Sequence, residues 1–155
     1  MIQAQTLQSA LQNGGMLDAS KIKADAVAEA AQSAGYLFAL VECDRARSRS
    51  AVLRAVVKAV DFPEFFGSDL DALYDCLCDT VLDQKTGLVL WFSRLHSGDP
   101  ALEGDAEAIL DVAANVVEFA ANNDRVFVFG VDHAGKHPDP EPGVAPTPYS
   151  GASES

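Results

Sequence analysis

Three short apolar runs, Tyr36 to Val41, Leu88 to Phe92 and Val126 to Phe129, constrain the fold of this chain more than any other feature. Each is rich in aromatic or β-branched residues, and none alternates strictly between polar and apolar. That is the pattern of strands covered on both faces. Two helical patterns separate the first run from the second, and another separates the second from the third. Crossovers of that length permit parallel pairing, so a small parallel sheet with helices packed on it is the economical arrangement.

The first long helical pattern, Arg49 to Val60, presents Val52, Leu53, Val56, Val57 and Val60 on one face and turns Arg54 and Lys58 outward. The second begins after Gly67. Ser68 is placed to cap it, and Asp71 takes the glutamate position of a capping box. Leu70, Leu73, Leu77 and Val81 supply its inward stripe. The third covers Asp105 to Ala121 and stops at Asn122-Asn123. Upstream, the alanine-rich stretch Ala24 to Ala34 reads as a short helix ended by Gly35. Residues 1 to 23 carry Asn13-Gly14-Gly15 and scattered apolar pieces, which predict only a weak helix or an extended arm. Five of the seven prolines fall between Pro138 and Pro148 among Gly, Ser and acidic residues, which predicts a mobile tail.

A chain of 155 residues, 48% of them hydrophobic, builds one sizeable core and is not disordered throughout. Eleven basic against twenty-three acidic residues give a net charge of -12, which repels nucleic-acid backbones and argues against a nucleic-acid partner. No run approaches the ~18 apolar residues of a membrane span. The start, Met1-Ile2-Gln3-Ala4, lacks the basic-then-apolar pattern of a signal peptide. The expectation is a cytoplasmic protein with no membrane partner. Cys43, Cys76 and Cys78 lie in apolar-patterned segments and suit reduced, buried thiols better than a disulfide framework.

The negative charge is concentrated. Between residues 61 and 111 there are twelve acidic residues against only Lys85 and Arg94. Asp71, Asp75 and Asp79 repeat at i, i+4 and i+8, a ladder about 12 Å long on a helix rising ~1.5 Å per residue. Like charges so spaced destabilise a helix by roughly 0.2–0.5 kcal/mol per pair. Asp71 recovers part of that from the helix N-terminus; Asp75 and Asp79 lie beyond the first turn. Either they are solvated surface residues or cations from outside the chain meet them. The segment Asp61-Phe62-Pro63-Glu64-Phe65-Phe66-Gly67 precedes the ladder, and Tyr74 sits in the turn between Asp71 and Asp75. Carboxylates around aromatic anchors fit an interface for a basic partner, the alternative being a half-buried Tyr74 at the sheet edge.

Catalytic readings are weaker. A metal site built from Asp71, Asp75, Asp79 and His96 needs carboxylates that converge, whereas this ladder spreads along a rod. His96, His133 and His137 have no HExxH or clustered spacing. Cys76 and Cys78 are not in a CxxC arrangement, and neighbouring carboxylates raise a thiol pKa. No GxGxxG or Walker loop is present. Paired carboxylates for glycosyl transfer lack an evident cleft. No catalytic residue, metal or cofactor is therefore assigned, and binding ranks above catalysis.

The runs Phe62-Pro63-Glu64-Phe65-Phe66-Gly67 and Asp69-Leu70-Asp71-Ala72-Leu73-Tyr74-Asp75-Cys76-Leu77 closely resemble the barstar family, intracellular inhibitors of barnase-type ribonucleases. The family's loop and helix follow the pattern P-x-aromatic-aromatic-G-x-N-x-D-A-L-x-D. The element order from Tyr36 to Phe129 is similar as well. The resemblance implies an α/β fold with a small three-stranded parallel sheet flanked by helices. It divides the chain into an N-terminal extension with a short helix (1–34), a barstar-like domain (35–131) and a Pro/Gly-rich flexible tail (132–155).

The implied function is occlusion of the active site of a basic bacterial ribonuclease, or a related nuclease toxin, by an acidic helix and an aromatic loop. By that resemblance Asp75 enters the enzyme's active site in place of a substrate phosphate, and Asp71 is a flanking charge. Phe65 and Phe66 stand at a tyrosine pair; Phe65 keeps the ring contact without the hydroxyl. Gly67 allows close backbone approach. Tyr74 stands where the family has a tryptophan, Asp69 where it has an asparagine, and Thr80 where it has a rim tryptophan. A further family carboxylate position falls at Asn115, with Glu118 about one turn on, or Asp111, as its substitute. The expected partner-binding set is Phe65, Phe66, Gly67, Asp69, Asp71, Tyr74, Asp75, Asp79 and Glu118. The alternatives are an acidic interaction or immunity module for a different nuclease or basic protein and, less favoured, a metal-dependent enzyme.

Overall fold

The three apolar runs become the strands β3 (Leu37–Glu42), β4 (Gly87–Leu95) and β5 (Val126–His133) in a computed structural model that describes residues 4–17, 22–62, 67 and 69–134. The expected proline-rich tail and the phenylalanine pair Phe65 and Phe66 lie outside the described residues. Around these strands are β1 (Ala4–Gln5), α1 (Leu7–Asn13), β2 (Gly15–Leu17), α2 (Ala24–Ala34), α3 (Arg49–Ala59), α4 (Leu70–Asp83) and α5 (Glu103–Ala121).

Pairing is parallel throughout, in the order β1-β2-β5-β4-β3. The sheet is thus not three-stranded, as the sequence led us to expect. Four strands of three or more residues make its body, and the two-residue β1 lies at the edge. The additional strands come from the segment read as a weak helix or arm. Gly15 and Met16 pair with Val128 and Phe129 more than a hundred residues later, so three residues become a strand through their partner and not through any local pattern. Gly14 and Gly15, a turn signal in sequence, bring the chain onto β5. At Gly14 (φ 78) an added Cβ would lie 3.1 Å from the Phe127 carbonyl oxygen.

The missing polar alternation has a direct cause. Leu88, Leu90, Phe92, Phe127, Phe129 and Val131 face a core shared with α3, α4 and α5. The intervening Val89, Trp91 and Val128 face a second core closed by Ala10, Leu17, Val27 and Ala31. Successive side chains in a strand point to opposite faces, so a sheet covered twice reads as a continuous apolar run. On the second face Trp91 pairs with Gly130. A Cβ at Gly130 would come within 2.8 Å of the Trp91 ring. Near its end β4 shifts register between Phe92 and Leu95, with Arg94 at φ 52.

Capping chemistry sets several of the helix ends. Ser48 caps α3 by accepting from the Ala51 amide, and Gly35 in the left-handed region ends α2. At α4 the expected cap is corrected by one residue. Asp69 is the N-cap, its Oδ1 accepting from the amides of Asp71 at 2.9 Å and Ala72 at 3.4 Å. Ser68 lies outside the described residues.

Candidate functional site

The apolar spacing of α4 buries Leu73, Leu77 and Val81 and leaves Asp71, Asp75 and Asp79 exposed. The ion pairs among the described residues lie elsewhere: Arg49 with Asp105 at 3.6 Å, and Asp44 with Arg94 at 3.0 Å, where His96 is hydrogen-bonded to the same carboxylate. None involves the aspartate ladder. Its like-charge repulsion is left to solvent.

α4 packs against α5 through a T-shaped contact of Tyr74 with Phe119, ring centroids 6.3 Å apart and planes at 76°. A groove of about 600 Å³ runs between the two helices. Asp71, Tyr74 and Asp75 form one wall; Asn115, Glu118 and Phe119 form the other. The fold therefore brings Glu118, about forty residues from the ladder, into the same acidic cleft as Asp71 and Asp75. Asn115, where the resemblance puts a further carboxylate, stands in that wall as well. Phe119 went unnoticed in the sequence. Its only signal there is an aromatic residue four positions after Asn115 on an otherwise aliphatic helix.

Asp79 does not face this groove. Each four-residue step on a helix drifts by about 40°, so eight residues carry the third carboxylate well round the axis. It lines a separate hollow of about 510 Å³ with Asp61, Phe62 and Asp83. Thr80 is buried, its hydroxyl donating to the Cys76 carbonyl at 2.8 Å. Asp69 is exposed and held as the cap of α4. Gly67 adopts φ 71, a left-handed conformation that disfavours any Cβ, and the space beside it is open.

The hydroxyl of the half-buried residue Tyr74 is hydrogen-bonded to Cys78, which together with partial desolvation and the negative charges of Asp75 and Glu118 holds the phenol above its usual range. It stays a neutral donor in an otherwise anionic cleft. All three cysteines are buried and unpaired. Burial pushes the Cys76 thiol up to about 11 and the Cys43 thiol up to about 12. Cys78 is raised mainly by burial as well. None has the lowered pKa of a reactive thiol.

Among the described residues no group of three or more His, Cys, Asp or Glu is arranged to hold a metal ion. His96 is buried and hydrogen-bonded to Asp44, apart from the aspartate ladder. No helix among the described residues is long and apolar enough to cross a membrane.

A family model described as Barstar (barnase inhibitor) matches residues 36–132. The matched span runs from the start of β3 into β5, as far as Asp132, takes in both walls of the groove, and omits β1, α1, β2 and α2. Members of that family are inhibitors and not enzymes. With most of its length inside the match, the chain belongs to the barstar family of barnase inhibitors.

Proposed function

We propose that this protein inhibits a basic bacterial ribonuclease, or a related nuclease toxin, by seating the α4–α5 cleft over the enzyme's active site. Family membership supports a ribonuclease-inhibitor role in general. The finer assignment rests on one observation: Asp71 and Asp75 are exposed, lie outside every ion pair among the described residues, and share a groove with Glu118. Two carboxylates one helical turn apart are about 6 Å from each other, the spacing scale of phosphates along a nucleic-acid strand. A cleft lined with cations to hold substrate phosphates receives them in the same way, and the cost of stacking like charges on α4 is recovered on binding.

In this reading Asp75 is the central phosphate mimic and Asp71 flanks it. Glu118 reaches the partner from α5. Tyr74 offers a ring and a protonated hydroxyl at the centre, Asp69 and Asp79 extend the negative field along the helix, and Phe65, Phe66 and Gly67 supply the adjoining loop. The protein acts in the cytoplasm as the immunity or antitoxin member of a pair.

Titration of barnase with the protein, read as residual ribonuclease activity, tests this. Activity is expected to fall in proportion to inhibitor up to a 1:1 ratio. Asp75→Ala is expected to cost 2 kcal/mol or more, about 30-fold or more in Kd. A loss under ~1 kcal/mol removes Asp75 from the centre of the interface. The second reading, a different basic protein on the same face, is favoured by Asn115 standing where the resemblance expects a carboxylate. It predicts tight, Asp75-dependent binding to another target and none to barnase.

A further inference from the structure

We propose that the groove between α5 and β2 is a second seat for the same ribonuclease and takes one of its lysine or arginine side chains. The proposal rests on the inhibitor reading above and extends it to a groove one wall of which, β2, lies outside the family match.

The outward ridge of α5 carries Asp111, Asn115 and Glu118 at i, i+4 and i+7, all exposed. On one flank of the ridge Val112 and Phe119 face the α4 cleft. On the other, Leu110, Ala114 and Val117 face Met16 of β2 across a groove of about 800 Å³, with Phe129 behind them. Asn115 and Glu118 border both hollows. A protein resting on the α4 cleft is therefore one helix ridge away from the second groove.

The chemistry of that groove is specific. Its walls are aliphatic, and its carboxylates, Asp111 and Glu118, lie outside every ion pair among the described residues. Lysine and arginine have the matching form, an apolar stem with a cation at its end. Half-buried Met16 contributes an unbranched, polarisable side chain, which adapts to an incoming stem better than a β-branched residue would. Charge complementarity and continuity with the cleft both point to the one basic partner rather than to a separate ligand.

The groove exists because of this chain's own N-terminal segment. β2 lies outside the matched residues 36–132, and without it the wall opposite Ala114 would be absent. The added strand thus gives the inhibitor a means of selecting, among nucleases with similar active sites, those with a basic residue about one helix width from the rim.

The test measures binding of the full chain to barnase for the wild type, Asp75→Ala, Asp111→Asn and Ala114→Arg, with melting temperature as the control for folding. Asp111→Asn removes one carboxylate from an exposed position; Ala114→Arg fills the groove with a cation. Each is expected to weaken binding by about tenfold with the melting temperature unchanged, and Asp111→Asn is expected to reduce the salt dependence of Kd. If Asp75→Ala abolishes tight binding while both α5 variants stay within about twofold of the wild type, the second seat is overturned and the inhibitor reading stands. If the wild type itself fails to bind barnase, the inhibitor reading fails for that enzyme, and the second seat falls with it.

Discussion

One oxygen, Oδ1 of Asp44, accepts from Arg94 Nε at 3.0 Å and from His96 Nε2 at 2.9 Å, tying the loop after β3 to the end of β4. Arg94 holds a left-handed backbone at the register shift in β4, a conformation costing about 1 kcal/mol or more for a residue with a Cβ. The shift turns its side chain toward Asp44, and the ion pair offsets part of that cost. The hydrogen bonds from His96 and Arg94 hold the Asp44 carboxyl below its ordinary value of 3.8. A carboxyl lowered in the folded state stabilises the protein at pH above its unfolded value, and that contribution is lost as pH falls through the lowered one. Asp44→Asn is therefore expected to melt below the wild type at pH 5, with the gap narrowing as pH drops under about 4, followed by circular dichroism across that range. A gap that widens with acid would contradict the pairing. Because Asp44 is on the surface, the effect is modest and shrinks with salt.

Among the elements, α4 depends on a single residue for the amides of its first turn. Asp69 supplies the acceptor for two amides at its start and places a negative charge at the positive end of the helix. Asp69→Ala is expected to cost about 1 kcal/mol in urea unfolding, and Asp69→Asn, which keeps the acceptor, much less. Periodicity made α4 and its aspartate ladder legible in the sequence, because it depends on residues within one or two turns, whereas the cap was expected at Ser68, one residue before Asp69. The bounds of α2 were legible for the same reason, with Gly35 at its end. Of the opposite wall of the cleft, Asn115 and Glu118 were reached only through the family resemblance, and Phe119 not at all. Asn115, Glu118 and Phe119 meet Tyr74 only through the packing of α4 on α5, a contact between segments about forty residues apart. β2 was hidden for a related reason, since three residues cannot show a period of two and are made a strand by β5. Asp79 shows how spacing misleads, because a perfect four-residue repeat still winds away from a straight line.

For the molecule as a whole, a charge of -12 acts on association more than on the bound state. Long-range attraction steers a cationic partner and is screened beyond ~10 Å at 0.1 M salt, whereas contacts closed off from water are screened less. Between 50 mM and 500 mM NaCl, stopped-flow mixing with barnase is expected to show the association rate falling by at least about tenfold while dissociation changes far less. Equal changes in both rates would count against steering. The sheet order has a consequence of another kind, for synthesis. Of the described strands β5 leaves the ribosome last, yet it sits between β2 and β4 in the finished sheet. While it is still being made, β3 and β4 can zip together and β1 can pair with β2, but nothing joins the two pairs. A product cut short before Val126 would lack the middle of its sheet instead of a dispensable margin, leaving Trp91 and Leu17 without the strand that brings them together.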